Sequence, residues 1–388
     1  MKKINKYKLI FLLFIIKINN DKYLFHNIIL NNCLCKEKKM QFNFPELYRL
    51  RTILTNNIII NKNNILILET YLFHYECTPG FAKYFIDLGF NVDIIIHKMG
   101  ITSFCFFEQT KRIRIFFYEN VEYLKNNSYI FSLIAQKYNY ILIETTEPNS
   151  FNLYKKLNFS RTLFVFHNLN FLNSNNLKIL KNHQILSLGN LLLTKKVNPH
   201  YFGYFKHKKK NKITIFFITS TIYRSYKFLI IAAKKMQKEN KKFHIIVVGK
   251  VKTFSAKNIP KALKKNFTFK YQISYLELYK DVYKADYIII NLNPDIKADK
   301  QFKKTRITGS SQLSYGFLKP VLIHRDFANF YNFNPSNSMI YNSLNFTEVM
   351  RDAINMDYKK YRKMQKNLYI ASKKLYKESL LNLKKCIK

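Results

Sequence analysis

Short, unbroken apolar runs alternating with stretches of helical periodicity restrict this chain more than any other feature. Asn64-Ile65-Leu66-Ile67-Leu68-Glu69 reads as a buried strand, and apolar Phe81, Tyr84, Phe85 and Leu88 then fall at helical spacing before Gly89. Asn91 to Ile96 supplies the next strand, and the same grammar recurs at Tyr140 to Ile143 and Thr162 to Phe166. A strand that alternates polar and apolar residues covers one face only, whereas continuous runs imply cover on both faces. Strand-helix alternation of this kind therefore predicts parallel sheets sandwiched between helices.

A second set begins after a Lys-rich joint at 206–212, with strands at Ile213 to Ile218, Phe243 to Val248, Tyr287 to Ile290 and Pro320 to Ile323, and a helix over 226–240. At 388 residues the chain has room for two such units. The expected organisation is an apolar and basic extension over 1–45, a first Rossmann-like domain over 46–205, a second over 206–350, and a basic helix over 351–388. On that helix Tyr361, Met364, Leu368, Ala371 and Leu375 form one stripe, opposite a cationic face suited to an anionic membrane surface.

The formal charge is +43, from 66 Lys and Arg against 23 Asp and Glu. Such a field attracts anions of many kinds. Here the cations are mostly lysines scattered over both halves, which argues for compositional background and against a specific nucleic-acid binder, whose basic residues cluster. Cys33, Cys35, Cys77, Cys105 and Cys386 are too dispersed for a disulfide framework or a zinc site, which points to a reducing, cytoplasmic setting. The apolar run Leu9 to Ile16 after Lys2, Lys3, Lys6 and Lys8 is too short to span a bilayer and lacks a small-residue cleavage site, so it reads first as a retained extension, with an interfacial anchor, a leader or an extended reading frame as the alternatives.

Missing motifs narrow the chemistry. The eight glycines compose neither G-x-G-x-x-G nor a phosphate loop, which disfavours NAD enzymes and P-loop NTPases. No Asp-x-Asp, nucleophile elbow or H-E-x-x-H is present, so no metal and no cofactor is expected.

Ligands of open α/β sheets lie beyond the carboxyl ends of the strands, so the residues following each strand carry the functional reading. His74 and Glu76 occupy a strand-to-helix turn and suit a general base acting on a hydroxyl. His167 follows the strand ending at Phe166. In the second half, the hydroxyls of Thr219 to Ser225 with Arg224 and Lys227 suit a diphosphate, as do Lys304, Thr308, Gly309, Ser310 and Ser311 ahead of a short helix that Gly316 is expected to end. Gln312, Gly249 and Tyr271 fall in the expected nucleotide and sugar vicinity.

From Gln312 to Val321 the segment Gln-Leu-Ser-Tyr-Gly-Phe-Leu-Lys-Pro-Val resembles the signature of group 1 retaining glycosyltransferases of the GT-B type, and the likeness extends over about 62–385. The resemblance implies two Rossmann-like domains facing across a cleft. It matches Arg224 and Lys227 to the family's diphosphate-binding pair, and His167 to its histidine near the donor sugar. The family's paired glutamates are absent, with Gln312 standing at the second. The implied activity is sugar transfer from a nucleotide-diphosphate donor to a surface polysaccharide or lipid-linked acceptor, peripheral to the inner face of a membrane. A catalytically inactive nucleotide-binding scaffold is the alternative, with nucleic-acid binding behind it.

Overall fold

The computed structural model describes residues 46–49, 63–108, 110–120, 129–147, 154, 157, 159–171, 185–189, 194–205, 210–220, 226–249 and 256–387. The expected extension over 1–45 and Arg224 lie outside them.

Two separate, wholly parallel sheets form the two lobes. The first holds β1 (Glu46–Arg49), β2 (Asn64–Leu68), β3 (Asn91–His97), β4 (Ile113–Tyr118), β5 (Tyr140–Ile143), β6 (Thr162–Phe166), β7 (Ile185–Ser187) and β8 (Lys195–Lys196). Their order is β1-β4-β3-β2-β5-β6-β7-β8. The second holds β9 (Thr214–Ser220), β10 (Phe243–Gly249), β11 (Phe267–Tyr271), β12 (Tyr287–Ile290), β13 (Val321–His324) and β14 (Met339–Tyr341), in the order β11-β10-β9-β12-β13-β14. In each sheet the order reverses beside the lobe's lead strand, between β2 and β5 and between β9 and β12. Crevices open at such switch points, where successive crossovers diverge to opposite faces.

The helices that matter for the site are α1 (Thr78–Asp87), α2 (Tyr129–Lys137), α3 (Lys227–Lys238), α4 (Tyr275–Lys284), α5 (Gly309–Phe317), α6 (Phe346–Asn355) and α7 (Tyr358–Cys386). Pro79 sits in the first turn of α1, where its missing N–H has no helical partner to lose. Ser274 accepts from the Glu277 N–H while the Glu277 carboxylate accepts from the Ser274 N–H, and this reciprocal cap starts α4. Both faces of the second sheet are covered: Phe216 and Ile218 pack with Leu229, Ala233 and Met350, whereas Phe217 turns to the core shared with the first lobe.

Two expectations change. Gly316 does not end α5, which continues to Phe317 and stops at Leu318 in the left-handed conformation (φ 54°). Glycine is needed at 316 for a different reason: a Cβ there would stand 2.3 Å from the Phe202 ring and 2.5 Å from the His200 carbonyl oxygen. The C-terminal helix begins at Tyr358, not at 351, with α6 as a separate helix before it. Its stripe is buried at Tyr361, Met364, Leu368 and Leu375, and α7 runs back to the first lobe. There Ser379 Oγ accepts from the Asn198 N–H at 3.0 Å, the Tyr376 hydroxyl donates to Asp87 at 2.6 Å, and Lys196 pairs with Glu378 at 3.3 Å.

Candidate active site between the lobes

At the first switch point the chain leaves β2 at Glu69 and β5 at Glu144. Because Leu68 lies opposite Ile143, the two carboxylates emerge side by side, and both are fully buried. Glu69 accepts from the Thr145 hydroxyl at 2.5 Å and from the Tyr71 N–H at 2.6 Å. Neither carboxyl oxygen of Glu144 makes a hydrogen bond of normal geometry, and a weaker interaction with the Thr78 side chain offsets burial only in part. Burial, reinforced by the neighbouring negative charge, raises both well above the usual carboxylate range. Both carboxyls therefore keep their protons to higher pH than an exposed glutamate does.

His167 follows β6, and its Nε2–H donates to the Glu144 carbonyl at 3.1 Å; a carbonyl only accepts, which fixes the tautomer. Burial, and then the adjacent His74, hold its pKa well below the ordinary histidine value, so the ring is neutral. His74 stacks on it with ring centroids 4.0 Å apart and planes inclined by 20°. A left-handed backbone at His74 (φ 73°) is uncommon for a residue with a side chain, and it turns the ring back over His167.

His74 Nδ1 lies 3.6 Å from Glu76 Oε1, and Glu76 also accepts from the Tyr275 hydroxyl at 2.9 Å. Burial pushes the Glu76 carboxyl up, but the hydrogen bond and charge of His74, a backbone amide and Tyr275 together bring it below the usual range. Glu76 is thus ionised, in contrast to the Glu69–Glu144 pair behind it.

The second lobe presents the N-terminus of α5. Thr308 caps it without a side-chain bond, and its N–H donates to the Tyr331 hydroxyl at 3.2 Å. The Ser311 hydroxyl donates to the Thr308 carbonyl at 2.7 Å, so it is turned away from any ligand. Among the described residues the Gly309 and Ser310 N–H groups have no hydrogen-bond partner, and helix geometry supplies positive potential there. Thr219, at the end of β9, lies with its hydroxyl 3.1 Å from that of Ser310. Glu76 Oε1 is 3.6 Å from where a Cβ on Gly309 would be, so the carboxylate of one lobe faces the helix N-terminus of the other. Further contacts lock the lobes across this cleft: Asn168 bridges to Arg306, and the Leu169 N–H donates to the Thr305 carbonyl at 2.8 Å.

The sequence-based candidates divide accordingly. His74, Glu76 and His167 converge, and Thr308, Gly309 and Ser310 face them. Lys227 is an exposed first residue of α3, and Lys304 is exposed with its backbone bonded to Gln301. Gln312 is buried with its amide oxygen 3.8 Å from the Cys77 sulfur, so it ties α5 to α1, and the same oxygen is 3.9 Å from where a Cβ on Gly309 would be. Gly249 pairs with Tyr271 and Ser220, which puts both at the carboxyl edge, with Tyr271 two strands or roughly 10 Å from β9. Sequence reasoning missed Tyr275, although Ser274 and Glu277 signal a helix start beside it. Among the described residues no three His, Cys, Asp or Glu side chains gather as around a metal ion.

No protein-family model matches the chain, and no curated protein matches it. Solved structures do. S. aureus TarM with fondaparinux, alpha-GlcNAc-glycerol and UDP is 12% identical over 69% of this chain and 59% of that one, at a TM-score of 0.45. Anabaena HepE in complex with UDP and glucose is 12% identical over 83% of this chain and 97% of that one, also at 0.45. E. coli heptosyltransferase WaaC with ADP is 10% identical over 77% and 99%, at 0.42. The chain is similar to glycosyltransferases. It spans 59% of the length of TarM. The two-lobe plan itself is fixed by the strand orders above.

Proposed function

We propose that this protein is a glycosyltransferase that moves a sugar from a nucleotide-diphosphate donor to a glycan or lipid-linked acceptor. The observation that carries the reading is the placement of the His74–Glu76 pair of one lobe against the open N-terminus of α5 in the other.

The donor diphosphate is assigned to the Gly309 and Ser310 N–H groups and the Thr219 and Ser310 hydroxyls, with Lys227 and Arg224 as the cations. As the glycosidic bond breaks, negative charge grows on the departing phosphate, and donors already aimed at it stabilise that charge without reorganising. Cations and the helix terminus would take on this neutralisation without a metal. The acceptor hydroxyl enters at His74. Its proton passes to the imidazole, Glu76 stabilises the imidazolium through Nδ1, and His167 supports the ring by stacking. The 3.6 Å separation of His74 and Glu76 is expected to tighten when substrates close the cleft.

The test is nucleoside-diphosphate release from a panel of nucleotide sugars with saccharide and lipid-linked acceptors, with and without a chelator. His74→Ala should lower kcat by ~10²- to 10⁴-fold while calorimetry shows donor binding retained. Chelation should leave the rate unchanged. Donor binding without turnover for any pair would favour the inactive scaffold, and tight RNA binding that survives moderate salt would favour the nucleic-acid reading. The cationic face of α7 is assigned to an anionic membrane surface, which flotation with acidic vesicles at low salt checks.

A further inference from the structure

A cavity of about 400 Å³ lies away from the cleft, where α1, the joint between the lobes and α7 meet the far end of α5. Gly316 lines it, seven residues along α5 from Gly309, so it stands roughly 10 Å down the helix axis from the open N-terminus. None of the chemistry proposed for the cleft uses it.

Its walls combine charge with rings. Lys83, Lys373 and Lys377 line it against a single carboxylate, Asp87, and His200 is held neutral because burial lowers its pKa to about 4. Asp87 is already engaged: it pairs with Lys83 at 2.5 Å and accepts from the Tyr376 hydroxyl. Lys373 and Lys377, one turn apart on α7, have no carboxylate partner among the described residues. Lys373 instead rests 4.6 Å from the centroid of the Tyr369 ring. Tyr201 and Tyr204 meet edge to face at 5.7 Å on the opposite wall, and Tyr204 is 75% exposed.

We propose that this cavity is a second ligand site that takes a phosphomonoester with an apolar or ring-shaped organic part. The volume is that of a small-molecule pocket. Two uncompensated ammonium groups match the charge of a phosphomonoester at neutral pH, about −1.5 to −2. The tyrosines offer flat, amphipathic surfaces for the organic part. The same chemistry arrives either as a free ester or as a lipid headgroup.

Calorimetry on the full chain with phenyl phosphate, with phenol and inorganic phosphate as controls, tests the assignment. Phenyl phosphate should bind at least about tenfold more tightly than either control, because neither carries both charge and ring. The charge-reversed double variant K373E/K377E should lose about tenfold or more in affinity, with its circular dichroism unchanged. Tyr204→Ala, at an exposed position that folding does not require, should weaken binding several-fold and serves if the double variant misfolds. Sedimentation with phosphatidylcholine vesicles containing phosphatidic acid separates the sources: lysine-dependent sedimentation identifies a headgroup, and soluble binding alone identifies a free ester. No binding of phenyl phosphate at millimolar concentration, equal binding of inorganic phosphate, or full binding by K373E/K377E would overturn the proposal.

Discussion

Replacing Glu144 by Gln should make the protein more stable at neutral pH and leave it unchanged in mild acid. Glu144 is fully buried, neither oxygen makes a hydrogen bond of normal geometry, and Glu69 stands beside it. Its folded pKa is well above the ordinary value of 4.5. Below pH 4.5 both folded and unfolded chains hold the proton, so the full stability of the buried acid is present. As the pH rises past that point the unfolded chain releases the proton and the folded chain keeps it. Stability then falls by about 1.4 kcal/mol per pH unit until the folded pKa is reached. Gln has nearly the same shape and no charge to lose, so the slope due to this group disappears in Glu144→Gln. Urea unfolding across a pH series gives the difference between variant and wild type directly. It should be near zero at pH 4 and grow with pH at about the slope above. A difference that stays flat with pH, or a variant less stable at every pH, would mean that Glu144 is ionised in the fold and the argument from burial is wrong.

Other substitutions test the packing and the first sheet. Asp93 is buried and accepts from Arg114 at 2.7 Å through both carboxyl oxygens, from Tyr138 at 2.8 Å and from Asn64 at 3.2 Å; Asp93→Ala should cost about 3–5 kcal/mol in urea unfolding, chiefly by orphaning Arg114. Gly316→Ala should cost about 1–3 kcal/mol by the same assay, since overpacking against Phe202 and His200 outweighs the better helix propensity of alanine. Ser274→Ala should cost about 1 kcal/mol through the lost cap of α4.

The buried strands were legible because continuous apolar runs have one explanation in a parallel sheet: β5, β6 and β12 have the bounds that their runs predict. By contrast β11 is an edge strand with only Phe267 buried, and its Phe-Thr-Phe-Lys-Tyr alternation was not read as part of a parallel sheet. In the cleft, the convergence of His74, Glu76 and His167 was foreshadowed because each follows a strand. The Glu69–Glu144 pair was not. Their adjacency depends on β2 lying next to β5, which is a property of strand order and leaves no local mark. Gln312 shows the converse limit, since a motif position suggests a ligand contact but does not reveal that the same amide packs against Cys77.

The return of α7 to the first lobe bears on how the molecule is made. The Asn198 N–H and the Lys196 ammonium pair with Ser379 and Glu378, some 180 positions later. A ribosome that has released the first sheet still holds back the segment that covers this edge, so the lobe waits unfinished through the synthesis of its neighbour. Stalling late in translation should therefore leave a species that is sensitive to proteases near residue 197, even though every strand of that sheet has already emerged.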